Sequence, residues 1–174
     1  MSKHLTTIKE EFAQAVKPSL EKLSIANASF VGDKMVAYVL ETGKWLFTEP
    51  IDKISEDELF RVGGHLTGAC GYFGNLCANA RADRDVYTEK RDILIKKKTL
   101  EYLSLDDKYK VTHATSKAKT EVAETGINDE VAEKELIKNN WENLMDATNK
   151  MISFIQTTLS YRKSEKFRSN QMQN

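Results

Sequence analysis

A stripe of small residues lies inside the longest helical pattern of this chain. Gly64, Gly68, Gly71, Ala78 and Ala82 are three, four or seven positions apart, so on an α-helix they share one face. A glycine in a helix interior costs about 0.5–1 kcal/mol relative to alanine, so several of them on one face call for a compensating contact. We therefore expect another backbone to lie close to this face, in a tightly packed bundle or in an oligomer.

The residues around this stripe predict one long helix from about residue 55 to residue 104. Leu59, Leu66 and Phe73 recur at seven-residue intervals, and the series continues at positions 80, 87 and 94. Ser55 and Glu58 have the spacing of a capping box, in which each side chain accepts a hydrogen bond from the other residue's backbone. The helix is therefore expected to begin just after Ser55.

Three other segments have apolar residues at helical spacing: residues 5–26, 110–124 and 129–167. Pro18 interrupts the first of them and predicts either two short helices or one kinked helix. Gly126 is expected to stop the short helix before the last one begins. Residues 33–48 fit either a helix or a hairpin that turns at positions 41–44. The helix is favoured because the rest of the chain offers no other strand as a partner.

These patterns predict an all-α protein: an elongated, oligomeric bundle of long antiparallel helices with shorter N-terminal helices. We expect an N-terminal helical segment over residues 1–50 and a long-helix hairpin or bundle over residues 51–174, together forming one structural unit. The longest uncharged run, residues 62–80, is too polar and too rich in glycine to span a membrane.

The residue types that carry catalysis are sparse and scattered. His4, His65 and His113 are far apart and have no cysteine or carboxylate at a ligand spacing. Cys70 and Cys77 are two helical turns apart and cannot pair within one helix, which indicates free thiols in a reducing compartment. We therefore expect a cytoplasmic protein (in the host cytoplasm if it is viral) with no enzymatic activity, metal or cofactor.

Charge is distributed unevenly although the net charge is zero. Residues 81–120 hold 11 Lys and Arg against 7 Asp and Glu, whereas residues 121–160 hold 3 against 8. Tyr87, Tyr102 and Tyr109 lie among the basic residues, and aromatic rings in such a setting can stack on unpaired bases. The alternative is that these lysines form an ordinary solvated helix face. The candidate nucleic-acid-binding residues are Arg81, Arg84, Arg91, Lys96, Lys97, Lys98, Lys110, Lys117 and Lys119.

Self-association is predicted by the small-residue stripe and by the apolar stripe of the last helix. Helices this long tend to leave apolar faces that need partners. The alternative is a monomeric bundle that buries these faces itself. The candidate oligomer-interface residues are Gly64, Gly68, Gly71, Phe73, Trp141, Leu144, Met151, Ile155 and Leu159.

Three segments suggest a family resemblance: residues 78–84 (ANARADR), 109–112 (YKVT) and 152–160 (ISFIQTTLS). In layout, residues 55–170 resemble the small phage recombination mediators of the UvsY type, which bind single-stranded DNA. The resemblance implies a non-enzymatic protein that assembles into rings and binds single-stranded DNA through basic helices. It also implies help in loading a strand-exchange recombinase onto DNA coated by a single-strand-binding protein. The basic residues named above would face DNA, and the helix over residues 141–159 would pack the assembly.

A different class of function remains open from the residues alone. The chain also fits a helical interaction, structural or inhibitor protein, for example a viral assembly or adaptor subunit without a nucleic-acid role. Charge reversal at Lys96, Lys97 and Lys98 separates the two, because only a DNA-binding protein would lose DNA binding while its oligomer stays intact.

Overall fold

The computed structural model describes residues 3–25, 33–105 and 110–171, and 95% of this part of the chain is helical, with no strand. The helices are α1 (Lys3–Ile25), α2 (Lys34–Thr48), α3 (Glu56–Leu105), α4 (Val111–Glu124) and α5 (Ile127–Gln171), with a short 3-10 helix at Ile51–Lys53 between α2 and α3. The prediction of an all-α fold is confirmed.

Residues 34–48 form a helix, so the hairpin alternative is wrong for this segment. The Asp33 carboxylate accepts hydrogen bonds from the backbone N–H groups of Met35 (2.8 Å) and Val36 (3.1 Å), which have no partner within the helix. Val39 and Leu46, seven positions apart, are fully buried. An N-terminal cap and one apolar face therefore account for α2 without a strand partner.

The first helix continues through its proline. α1 runs from Lys3 to Ile25 with Pro18 inside, so the alternative of two short helices is wrong. Phe12 stacks on Phe154 with ring centroids 4.3 Å apart and on Phe47 at 5.1 Å, and Val16 is fully buried. This packing holds the helix before Pro18, so the missing backbone hydrogen bond does not end it.

The ends of the long helices follow the expected local signals. At the start of α3, the Ser55 N–H donates to Glu58 Oε2 (3.0 Å) and the Glu58 N–H donates to Ser55 Oγ (3.2 Å), which confirms the capping box. Gly126 has a φ of +79°, and this left-handed conformation separates α4 from α5. α5 is longer than predicted at both ends. Asp106 and Asp107, a residue pair typical of a turn, lie outside the described residues.

The chain divides into two compact units, Met1–Asn75 with Asn140–Asn174 (unit 1) and Leu76–Asn139 (unit 2). In unit 1, the core is built by α1, α2, the first part of α3 and the second part of α5. Its largest fully buried side chains include Leu46, Ile51, Leu59, Leu66, Phe73, Leu144, Met151 and Ile155.

Unit 2 has a thinner core made mostly of small residues. It contains the rest of α3, all of α4 and the first part of α5. Ala114, Ala118 and Val122 on α4 are buried, as are Ala80 on α3 and Ile127 on α5. Val111 continues the helical spacing of Ala114, Ala118 and Val122, but it is 63% exposed. Because this core is thin, polar side-chain contacts also hold the helices of unit 2 together.

Candidate functional site

The C-terminal part of α3 packs antiparallel to α4 through a small polar cluster. Lys98 Nζ lies 3.1 Å from Glu101 on its own helix and 3.6 Å from Glu121 on α4. The Glu101 carboxylate, and then Glu121, raises the pKa of Lys98 above its ordinary value. The Tyr102 hydroxyl donates a hydrogen bond to Glu121, and Lys117 Nζ lies 4.5 Å from the centre of the Tyr102 ring. Lys98 and Tyr102 therefore hold α3 against α4.

Arg84 and Arg91 also contact carboxylates of the chain itself. Arg84 Nε lies 3.1 Å from Asp85 and 3.5 Å from Glu135 on α5. Arg91 forms a 3.1 Å ion pair with the neighbouring Asp92. Arg81 is exposed on α3. A phosphate that approached Arg84 or Arg91 would have to compete with a carboxylate already in place.

The remaining candidate lysines have a different environment. Lys96, Lys97, Lys110 and Lys119 are exposed, and within the described residues none of them forms an ion pair. We call these four residues the exposed lysine set. Lys96 and Lys97 follow one another on α3, Lys110 immediately precedes α4, and Lys119 lies on α4. An anion can therefore approach their ammonium groups without displacing a carboxylate of the part of the chain that the structure describes.

The tyrosines expected to stack on bases are largely engaged by neighbouring side chains. Lys90 Nζ and Lys134 Nζ lie 5.5 Å and 5.2 Å from the centre of the Tyr87 ring. Tyr102 is held by Glu121 and Lys117, as described above. Tyr109 lies outside the described residues. The ring contacts of Tyr87 and Tyr102 fall at distances of cation–π interactions, which favours a role in packing unit 2.

Most of the apolar residues predicted for an oligomer interface lie inside unit 1 instead. Phe73, Leu144 and Met151 have no exposed surface, Ile155 is 1% exposed, and Trp141 and Leu159 are half-buried. The Phe73 and Trp141 rings stack with centroids 6.1 Å apart. An oligomer interface made of these buried side chains would require the core of the chain to open.

The predicted glycines have the opposite environment. Gly64, Gly68 and Gly71 are exposed, and a Cβ built at any of them would meet nothing within 4 Å. Gly63 is the glycine of α3 that approaches another helix, since a Cβ there would lie 3.5 Å from Ile155 Cγ2. The backbone contact expected on the small-residue face is therefore not made by any of the described residues.

An open groove of about 490 Å³ lies beside these glycines, between α2 and α3, and no sequence pattern predicts it. The Tyr38 hydroxyl lies 3.4 Å from His65 Nδ1 along it. Without side chains, Gly64 and Gly68 leave this groove wide. Helix periodicity could not reveal it, because the groove depends on how two helices meet. Its lining residues are Lys34, Met35, Tyr38, Gly64, His65 and Gly68.

The described residues bring no three or more His, Cys, Asp or Glu side chains into an arrangement that could hold a metal ion. Over the same ranges, no helix combines the length and the apolar character needed to cross a membrane. Comparisons of the chain with protein-family models, with curated proteins and with solved structures found no match.

Proposed function

We propose that this chain is a non-enzymatic accessory protein that binds single-stranded DNA through the exposed lysine set. The observation that carries the proposal is the separation of the basic residues of unit 2 into two groups. Arg84, Arg91 and Lys98 contact carboxylates, whereas Lys96, Lys97, Lys110 and Lys119 are exposed and form no ion pair with a described residue. The second group can bind phosphates and release DNA counterions without first breaking an ion pair to a described residue.

The first group then has a structural role in this proposal. Arg84 and Lys98 join α3 to α5 and α4 through Glu135 and Glu121. They keep the helices of unit 2 together, and these helices carry the exposed lysine set on their surface. Arg81 is exposed on α3 and remains a candidate for DNA binding, as does Lys117 through the charge that it places beside the Tyr102 ring.

A single chain would neutralise few phosphates, so binding by one copy is expected to be weak and sensitive to salt. Several copies on one strand would bind far more tightly, because each further contact becomes intramolecular. The resemblance to UvsY-type mediators supports self-association. It also supports a role in loading a recombinase onto single-stranded DNA. We propose these as parts of the same function.

The test is charge reversal at two members of the exposed lysine set, with a matched control. Lys110→Glu with Lys119→Glu changes two lysines of unit 2, whereas Lys44→Glu with Lys163→Glu changes two exposed lysines of unit 1 by the same total charge. Binding is followed by fluorescence anisotropy of a labelled single-stranded oligonucleotide at several salt concentrations. We expect the first variant to bind more weakly, with a salt slope smaller by about 1 for each phosphate that the variant no longer binds.

The control variant should bind like the wild type, and both variants should keep the helical circular dichroism of the parent. Equal reductions in affinity for the two variants would mean that net charge alone drives the binding. That result would contradict a DNA-binding role for the exposed lysine set.

A second candidate function is supported by the ion pairs themselves. Much of the positive charge of unit 2 is balanced by ion pairs within the chain. These pairs are Lys90 with Glu130, Arg84 with Glu135 and Lys98 with Glu121. Such pairing is expected in a helical interaction or structural protein that has no nucleic-acid role. If the wild type fails to bind the oligonucleotide even at low salt, this second candidate replaces the first.

A further inference from the structure

Three large aliphatic side chains are exposed in a line along α3 in unit 2. Val86 is 62% exposed, Ile93 is 55% exposed and Leu100 is 67% exposed. They are seven residues apart, which is close to two helical turns, so they form a ridge along one face of the helix. We call Val86, Ile93 and Leu100 the aliphatic ridge.

This ridge faces away from the rest of its unit. Arg84, Lys98 and Tyr102 contact α4 and α5, and helix geometry places them on the side of α3 opposite to Ile93. Ala82 and Ser104, about one helical turn beyond each end of the ridge, are also exposed. Their small side chains would let another helix come close at both ends.

Single exposed aliphatic residues are ordinary on protein surfaces. Three of them at strict seven-residue spacing match one line of a coiled-coil seam, which is the pattern that packs against another helix. The charges beside the ridge indicate which helix that is.

Glu89 and Lys96 lie on the same flank of the ridge, four residues before Ile93 and three residues after it. Both are exposed, and within the described residues neither forms an ion pair. If a second copy of α3 packs antiparallel about a two-fold axis at Ile93, Glu89 of each copy meets Lys96 of the other. A parallel pair would instead bring this flank against the opposite flank of the other copy. Lys96 would then lie beside Lys97, a repulsive contact, and Glu89 would lie beside Lys90, which Glu130 already partly balances.

The opposite flank carries Lys90 and Lys97, which would approach each other in the antiparallel pair. Lys90 Nζ is 3.7 Å from Glu130, so part of its charge is already balanced within the chain. The aliphatic contacts are self-complementary as well, since Val86 of one copy meets Leu100 of the other and Ile93 meets Ile93. A two-fold interface requires this kind of self-complementarity.

We propose that the aliphatic ridge docks a second copy of this chain, antiparallel and centred on Ile93. The proposal does not rest on DNA binding, and it uses a surface that differs from the glycine face and from the buried face of α5. Because each copy contributes three aliphatic residues, the interface is small, and the dimer is expected to be weak and dependent on concentration. Lys96 belongs both to this interface and to the exposed lysine set, so a second copy and a DNA strand would compete for its ammonium group.

The experiment is sedimentation equilibrium of the full chain without DNA, from low to high micromolar concentration. The wild type should show a mass that rises with concentration. Ile93→Lys should raise the dissociation constant by roughly tenfold or more, because it places a charge at the centre of the interface. The matched control is Leu136→Lys on α5, whose side chain is 57% exposed in the same unit. It should leave the dissociation constant unchanged.

The antiparallel register has its own test, a charge swap. Glu89→Lys alone and Lys96→Glu alone should each weaken association, and the two together should restore it, because the swapped pair is again complementary. A mass that does not depend on concentration overturns the proposal, and so does an Ile93→Lys variant that associates like the wild type. If the double variant does not recover, the antiparallel register is wrong. None of these outcomes depends on whether the protein binds DNA.

Discussion

Tyr72 on α3 donates a hydrogen bond to Asp33 Oδ2 at 2.9 Å, while Asp33 Oδ1 caps α2 by accepting from the backbone N–H groups of Met35 and Val36. One carboxylate thus both begins α2 and ties it to α3. It connects two elements of unit 1 through residues that are 39 positions apart in the sequence.

Replacing Asp33 should destabilise the chain through both of these interactions. Asp33→Ala removes the cap, which is worth about 1 kcal/mol in typical helices, and also removes the acceptor for Tyr72. Tyr72→Phe removes only the hydrogen bond between the helices and leaves the cap, so it should destabilise less. Chemical denaturation followed by circular dichroism measures both. Equal effects of the two variants would mean that the cap contributes nothing.

Acid should weaken the start of α3. The Ser55 N–H and hydroxyl donate to the Glu58 carboxylate and hold the pKa of Glu58 below its ordinary value. The folded state therefore binds this proton less readily than the unfolded state does. The stabilisation is complete above the ordinary pKa of a glutamate and disappears as the pH falls through the lowered value.

The measurement is the free energy of unfolding at a series of pH values, from neutral to acidic, for the wild type and for Glu58→Gln. The amide of glutamine does not titrate, so the variant should lack the part of the pH dependence that comes from Glu58. Superimposable pH profiles would contradict the assignment of this capping box as a source of acid sensitivity.

A glycine on the small-residue face should be replaceable at a gain in stability. A Cβ at Gly68 would meet nothing within 4 Å, and Gly68 lies in the interior of α3. Gly68→Ala should therefore raise the free energy of unfolding by about 0.5–1 kcal/mol. Thermal denaturation at low and at high protein concentration checks this. A decrease in stability would indicate that this face is covered in solution by a close partner, as the sequence first suggested.

Truncation in the apolar stripe of α5 should destabilise the chain strongly, whatever its state of association. Leu144 and Met151 have no exposed surface in unit 1. Leu144→Ala should lower the free energy of unfolding by about 2–5 kcal/mol, the usual cost of a cavity in a protein core. Denaturation at two protein concentrations separates a core role from an interface role. If the destabilisation vanished at high concentration, Leu144 would belong to an interface between copies.

The sequence predicted the helices well because local signals define them. The pair Ser55 and Glu58 begins α3, Gly126 ends α4, and the series Leu59, Leu66 and Phe73 is buried as expected. Each of these signals spans a few residues or follows helix periodicity, so neither long-range packing nor a partner is needed to recognise it.

The sequence shows that a helix has an apolar face more readily than it shows which surface covers that face. The sequence predicts an oligomer interface along the stripe through Leu144, Met151 and Ile155, and the structure buries these three side chains within unit 1. Periodicity shows which side of a helix avoids water, and it does not say whether the covering surface comes from the same chain or from another one. The glycine face was likewise expected to meet a backbone and is exposed in this chain.

The charge partners and the aliphatic ridge were missed for related reasons. Glu121 follows Lys98 by 23 positions, so only the packing of α3 on α4 reveals that pair. Val86 and Ile93 are each followed by a residue of the other heptad series, Tyr87 and Leu94. Spacing alone cannot show which of two apolar series one residue apart is buried. In the structure Val86 and Ile93 are exposed, whereas Tyr87 and Leu94 are half-buried.

The proposed binding of single-stranded DNA through exposed lysines is tested most directly with the wild-type protein. Fluorescence anisotropy of a labelled single strand and of its duplex would be measured from low to physiological salt. We predict preferential binding of the single strand, with an affinity that falls linearly in logarithmic scale as salt rises. No binding at low salt, or an affinity that does not depend on salt, would contradict the claim and would leave a helical interaction protein as the function.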